Sequence, residues 1–192
     1  MDGNVRMGVK PDHWITEMAT RHRMIEPFEE TQIRRGISFG VSAYGYDIRL
    51  SDEFKVPNVA RIGEIDPKNN PPENFLDCKA ESLLIPANSY VLARSHEYFR
   101  IPRDVVTICT GKSTYARCGL IVNVTPFEPE WEGFATLSLS NTAPRPVRVY
   151  AGEGIAQLLF LEASEVCRTS YKDKNGKYQG QQTITLSKRD EE

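Results

Sequence analysis

The sequence is short of the features that most often announce a function. No apolar run approaches the about 18 to 20 residues needed to cross a bilayer, and the opening segment, MDGNVRMGVKPD, lacks the apolar core of a secretory signal. No membrane partner is therefore expected, and a cytoplasmic location is. Charge of one sign is not in surplus: 24 Lys plus Arg face 26 Asp plus Glu, a formal net charge of -2. That balance removes the general basic excess that holds proteins on nucleic acid through phosphate neutralisation, so no nucleic-acid partner is expected, although a local basic pocket is compatible with it. The four cysteines, Cys78, Cys109, Cys118 and Cys167, form no C-x-x-C pair, and the three histidines, His13, His22 and His96, fall in no ligand spacing. Reduced thiols packed as small apolar groups are expected.

What is present suits a compact globular chain: 192 residues, 40% of them apolar, fit one domain with a single core. Asp12 to Arg23 reads as a helix, with Asp12 as its cap and Trp14, Met18 and Ile15, Ala19 repeating at a spacing of four. Beyond about residue 36 the period changes. Short β-branched or aromatic runs occur at 46–50, 89–93, 105–109, 120–124, 134–140, 147–150 and 155–160, set off by breakers such as Pro102, Gly119, Gly133, Pro144, Pro146, Gly152 and Gly154. Many short strands with frequent breakers predict a mainly β fold, a sandwich or jelly-roll-like barrel. Residues 57–75, rich in proline and asparagine, predict a long surface loop. The hydrophilic segment from Tyr171 onward either frays or brings Tyr171, Lys177, Tyr178 and Gln181 to a ligand.

Two segments carry chemistry. Gly111-Lys112-Ser113-Thr114 ends like a P-loop, but Val106 stands where that motif needs its first glycine. What remains is a turn after a strand followed by a short helical piece whose free N–H groups, with Arg117 one turn on, suit an anion; a plain capped helix is the alternative. Thr125-Pro-Phe-Glu-Pro-Glu-Trp-Glu-Gly133 gathers Glu128, Glu130 and Glu132, either as a solvated acidic turn or as a rigid loop able to hold Mg2+ against phosphates. Asp47, Asp66 and Asp77 have no assignable chemistry.

Taken in order, Gly111-Lys-Ser-Thr-Tyr-Ala-Arg-Cys-Gly119, Thr125 to Gly133, Glu153-Gly-Ile-Ala-Gln-Leu158 and Lys177-Tyr-Gln-Gly-Gln181 resemble the dCTP deaminase branch of the trimeric dUTPase superfamily. Met24-Ile-Glu-Pro-Phe28, Ser42-Ala-Tyr-Gly-Tyr-Asp47 and Glu97-Tyr-Phe-Arg-Ile-Pro102 are similar to the same family, so the likeness spans nearly the whole chain. It implies a distorted β-barrel or jelly-roll-like subunit with a short N-terminal helix, a single domain over residues 1–192 whose 171–192 segment is a lid, and a homotrimer with nucleotide sites between subunits. The implied reaction is hydrolytic removal of the 4-amino group of dCTP to give dUTP and ammonia, with Mg2+ carried on the triphosphate and no zinc. The chain accordingly lacks the H-x-E and P-C-x-x-C ligands of a zinc deaminase. By the same resemblance Lys112, Ser113, Thr114, Tyr115, Ala116 and Arg117 bind nucleotide, with Ser113 and Arg117 reaching into the site. Thr136 and Leu137 lie along the base, and Gln157, Tyr171, Lys177 and Gln181 contact sugar and phosphates. dTTP, a feedback ligand in the family, joins dCTP and dUTP among the implied partners.

The sequence departs from the family pattern at one position. Two residues after Thr136 the family carries a glutamate, its general acid/base, and here Ser138 stands there. A carboxylate whose pKa is tuned toward neutrality can take a proton from attacking water and pass one to the leaving amine. A serine hydroxyl cannot, and losing one such group typically costs about 10²- to 10⁴-fold. The expectation is a chain that binds dCTP but deaminates it poorly; the alternatives are a non-catalytic regulatory paralogue, or a dUTPase-like triphosphate hydrolase using Glu128 or Glu130. Ser138 and Ser140 alternate with Leu137 and Leu139, so one face of this strand should be buried and the other polar.

Overall fold

The computed structural model describes residues 8–61 and 63–189. In chain order the elements are α1 (Asp12–His22), β1 (Ile25–Glu26), β2 (Gly40–Ser42), β3 (Gly45–Pro57), a 3-10 turn at Pro72–Asn74, β4 (Phe75–Lys79), β5 (Ser82–Ile85), β6 (Ser89–Arg100), β7 (Val105–Gly111), α2 (Ser113–Ala116), β8 (Leu120–Asn123), β9 (Glu132–Asn141), β10 (Val147–Tyr150) and β11 (Gly154–Glu162). No helix among the described residues is long and apolar enough to cross a membrane.

The main sheet runs β7-β11-β3-β6-β9-β8, with β1 added to β6 and β2 and β4 to β3, while β5 and β10 form a separate antiparallel pair. Its two ends curl toward each other: a Cβ on Gly111, at the end of β7, would sit 3.5 Å from Val122 of β8. The result is a nearly closed, distorted barrel, as the run of short strands predicts.

Alternation explains which side of each strand is inside. Along β9, Ala135, Leu137 and Leu139 are buried while Thr136, Ser138 and Ser140 are partly exposed, the period-two pattern expected for a sheet with one apolar face. These join Val91, Ala93 and Phe99 of β6, Phe54 of β3 and Leu158 and Phe160 of β11 in one apolar cluster. Helix α1 closes the cluster through Ile15 and Ala19, and Trp14 packs on Phe160 with ring centroids 6.1 Å apart.

Two expectations need amendment, and one alternative is settled against fraying. Asp12 is the first helical residue rather than the cap: Pro11 holds the cap position, and the Asp12 carboxylate accepts the His13 N–H at 2.7 Å. The 57–75 loop is shorter at both ends, since Pro57 still pairs with Phe75, which is buried and opens β4. The segment after Tyr171 does not fray among the described residues: it lies on the barrel, with Ile184 buried.

Candidate functional site

The segment from Tyr171 docks where β9 runs out of partners. β8 pairs with β9 only from Ser138 to Asn141, its last residue, Asn123, lying opposite Ser138. Further along the same edge the C-terminal segment takes over: Gly133 bridges to Gln181, the Phe134 N–H donates to the Gln181 carbonyl at 2.9 Å, and the Gln181 side-chain amide donates back to the Phe134 carbonyl at 3.2 Å. Gly133 permits this approach, because its φ of 147° is unsuited to other residues and a Cβ there would meet the Gln181 nitrogen at 2.8 Å. Trp131 donates from Nε1 to the Tyr178 carbonyl at 2.9 Å, and the Thr185 N–H donates to Thr136 Oγ1 at 3.1 Å.

Between these two neighbours a gap is left at Thr136. Main-chain groups along a strand point alternately to its two sides. The Phe134 N–H faces the C-terminal segment and the Ala135 N–H faces β6, so the Thr136 N–H and C=O face the gap. A cavity of about 600 Å³ opens there, lined by Asn123, Phe127 and Glu128 on one side, Ala135 and Thr136 of β9, and Tyr171, Lys177, Tyr178 and Gln181 of the C-terminal segment. That volume suits a small ligand, and the lining combines aromatic faces with a few polar groups.

The loop and the segment that frame the cavity are fastened together. Arg103 donates to Glu130 at 2.6 Å, to Asp173 at 2.7 Å and to the Arg168 carbonyl at 3.1 Å. The hydrogen bond from Arg103, followed by one from the Ser170 backbone, holds the Asp173 carboxyl at about 2, well below its usual range. Lys174 pairs with Glu128 at 2.7 Å. The acidic turn thus serves as an anchor for the following segment: Glu128 and Glu130 are both engaged by cations. Among the described residues no three His, Cys, Asp or Glu side chains gather as a metal-binding group.

The sequence-derived site residues divide into separate groups. Thr136, Tyr171, Lys177 and Gln181 share the cavity. Leu137 is buried beneath it, and Ser138 is half-buried on the same face of β9 as Thr136, opposite Leu92 of β6 and Asn123 of β8, its hydroxyl without a hydrogen-bond partner among the described residues. None of residues 112–117 lines this cavity in the same chain; Thr114 and Tyr115 line another, beside Ile37, Cys118 and Tyr150. Arg117 folds back on its own turn, donating to the Ser113 carbonyl at 3.0 Å, and Ala116 belongs to the same short helix. Lys112 is committed to Asp47, at 2.6 Å, in a pair almost shielded from solvent. Gln157 donates to Ser42 Oγ at 3.0 Å. Of the residues without assigned chemistry, Asp47 therefore has a partner, Asp77 pairs with Lys55 at 2.6 Å, and Asp66 caps a turn by accepting the Lys68 N–H. Sequence reading missed Arg103, whose partners lie 27 to 70 residues away.

The architecture defines a class, the distorted β-barrel subunit seen in the crystal structure of the 2'-deoxycytidine 5'-triphosphate deaminase from Agrobacterium tumefaciens. The two superpose with a TM-score of 0.65 at 14% identity, over 82% of this chain and 48% of that one, so this chain spans about half the length of that protein. Sequence places it more narrowly. A family model described as dCTP deaminase-like matches residues 9–163. The dCTP deaminase of Cupriavidus metallidurans is 58% identical over 187 residues, covering 95% of this chain and 100% of that protein, and that of Polaromonas sp. is 60% identical over the same shares. The chain belongs to the dCTP deaminase-like family.

Proposed function

We propose that this chain takes dCTP, with Mg2+ on the triphosphate, at the β9 edge cavity, and that its capacity to deaminate the base is impaired because Ser138 stands at the position of the family's general acid/base. The relatives matched over their full length are named dCTP deaminases, which supports the substrate class. The base would lie along the open edge at Thr136, where the N–H and C=O that face the gap offer one donor and one acceptor to a pyrimidine. Residues 112–117 lie outside this cavity in one chain, which fits the homotrimer expected from the resemblance, with α2 of a neighbouring copy completing the site. Glu128 is occupied by Lys174 and no acidic cluster is present among the described residues, so phosphate oxygens and water, rather than a protein cage, would hold the Mg2+.

The observation that carries the impairment is the setting of Ser138. Replacing the amine at C4 by water needs a group that accepts a proton from the nucleophile and returns one to the leaving ammonia. Ser138 is the next residue beyond Thr136 on this face and has no carboxylate or imidazole hydrogen-bonded to it among the described residues. A nucleotide-binding, regulatory role follows from the same setting and is the second reading. A dUTPase-like hydrolase finds less support, because Glu128 and Glu130 are tied to Lys174 and Arg103.

The test is calorimetric titration with dCTP and Mg2+, followed by assay for dUTP, ammonia and pyrophosphate. Binding with little or no product is expected, and Ser138→Glu should raise dUTP formation by about 10²- to 10⁴-fold. Brisk turnover by the unaltered chain, or an equally inert Ser138→Glu protein that still binds, contradicts the missing-base account.

A further inference from the structure

We infer that Ser95 is a positioning residue for the nucleotide edge of β9, acting through the Ala135 amide; this rests on the proposed reading of the Thr136 edge as the site. The ladder between β6 and β9 is regular from Ser89 opposite Asn141 to Arg94 opposite Thr136, then breaks, and resumes with Tyr98 opposite Phe134. Three residues of β6, Ser95, His96 and Glu97, therefore face one residue of β9, Ala135. An irregularity of this kind displaces the carbonyl that would have taken the Ala135 N–H. A side chain takes its place: the Ala135 N–H donates to Ser95 Oγ at 2.8 Å, and the Ser95 hydroxyl donates to the Glu97 carbonyl at 2.7 Å.

The device is anchored because Ser95 and Glu97 are buried and paired behind it. Ser95 and Glu97 are both 0% exposed. The Glu97 carboxylate accepts from Arg49 Nε at 2.6 Å and from the Arg49 backbone N–H at 2.9 Å, which ties the bulge to β3 on its far side. Arg49 in turn lies over the Phe39 ring, 4.9 Å from its centre. One hydroxyl thus sets the peptide plane entering Ala135, and the plane that follows carries the Thr136 N–H. The orientation of the donor and acceptor offered to a base depends on Ser95, a residue that touches no ligand.

The prediction separates base recognition from phosphate recognition. Ser95→Ala should lower affinity for dCTP by about tenfold or more while leaving affinity for tripolyphosphate, each measured with Mg2+, within about twofold of the parent. Ser95→Thr, which keeps the hydroxyl, should restore dCTP binding. Should Ser95→Ala fail to fold, Ser95→Cys, similar in size but a weak acceptor, reads the same comparison. A Ser95→Ala protein that binds dCTP as the parent does, or that loses dCTP and tripolyphosphate equally, overturns the inference and leaves the nucleotide reading intact. A parent that binds no dCTP overturns that reading, and the inference with it.

Discussion

Lys112 offers a sharp test, because its motif and its surroundings assign it different work. Next to Ser113 and Thr114 it reads as a phosphate ligand, yet it sits 2.6 Å from Asp47 with 11% of its side chain exposed against 3% for Asp47. Replacing it with methionine keeps most of the stem and removes the charge. Among the described residues the Asp47 carboxylate is then left with one neutral donor, Gln32 Nε2 at 3.2 Å. Removing one partner of a buried pair costs about 3 to 5 kcal/mol, because the other charge stays behind without compensation. With Gln32 still in place the lower end applies, about 3 kcal/mol, or a fall in Tm of roughly 6 to 12 °C for a chain of this size. Asp47→Asn in the same chain removes the stranded charge, so the double variant should regain most of the loss. Thermal and urea unfolding of the parent, both single variants and the double variant close the cycle. A Lys112→Met protein within about 1 kcal/mol of the parent that has nonetheless lost triphosphate affinity refutes a structural role, since an exposed ligand contact rather than a buried pair would produce it.

Two further outcomes concern the docked C-terminal segment, with Trp131 as reporter because its indole N–H is bonded to the Tyr178 carbonyl. Gly133→Ala should displace the segment, since the added Cβ would collide with the Gln181 backbone at 2.8 Å; Trp131 fluorescence should shift and proteolytic cleavage after residue 171 should accelerate, and unchanged protection would contradict the described contact. The Asp173 carboxyl, held down to about 2 by Arg103, contributes to docking above its ordinary value of 3.8 and loses that contribution as pH falls through about 2. An acid step in Trp131 fluorescence over that window, absent in Asp173→Asn, is expected; the same step in the variant would point to another group.

The barrel was largely legible from local pattern and the site only in part. The alternation around Leu137 and Leu139, and the β-branched runs at 105–109 and 155–160, signal strands because each carries its apolar face in its own residues. β4 and β5 were not recognised: Phe75-Leu-Asp-Cys-Lys79 reverses the usual pattern, with Leu76 exposed and only Phe75 fully inside. β5 exists by virtue of pairing with β10, about sixty residues on, and no local signal carries such a partner. Site residues met the same limit. Tyr171, Lys177 and Gln181, grouped by motif order, line one cavity, but Arg103 and the Lys112–Asp47 pair join residues brought together only by the fold. Gln157, which the resemblance assigns to sugar or phosphate, donates to Ser42 in this chain, because β11 brings it beside β3, where the hairpin with β2 supplies an acceptor.

The divided edge of β9 has a further consequence, for the life of the chain rather than its chemistry. An uncovered strand edge is a template on which another chain can add a strand. On β9 that edge is covered by β8 beyond Ser138 and by the C-terminal segment at Gly133 and Phe134. Cleavage before Tyr171 would remove the second cover while leaving the barrel core in place, baring a row of main-chain groups beside Trp131 and Ala135. A trimmed chain would then lose one wall of the cavity and be expected to self-associate, so the C-terminal segment shields a strand edge as well as lining a cavity.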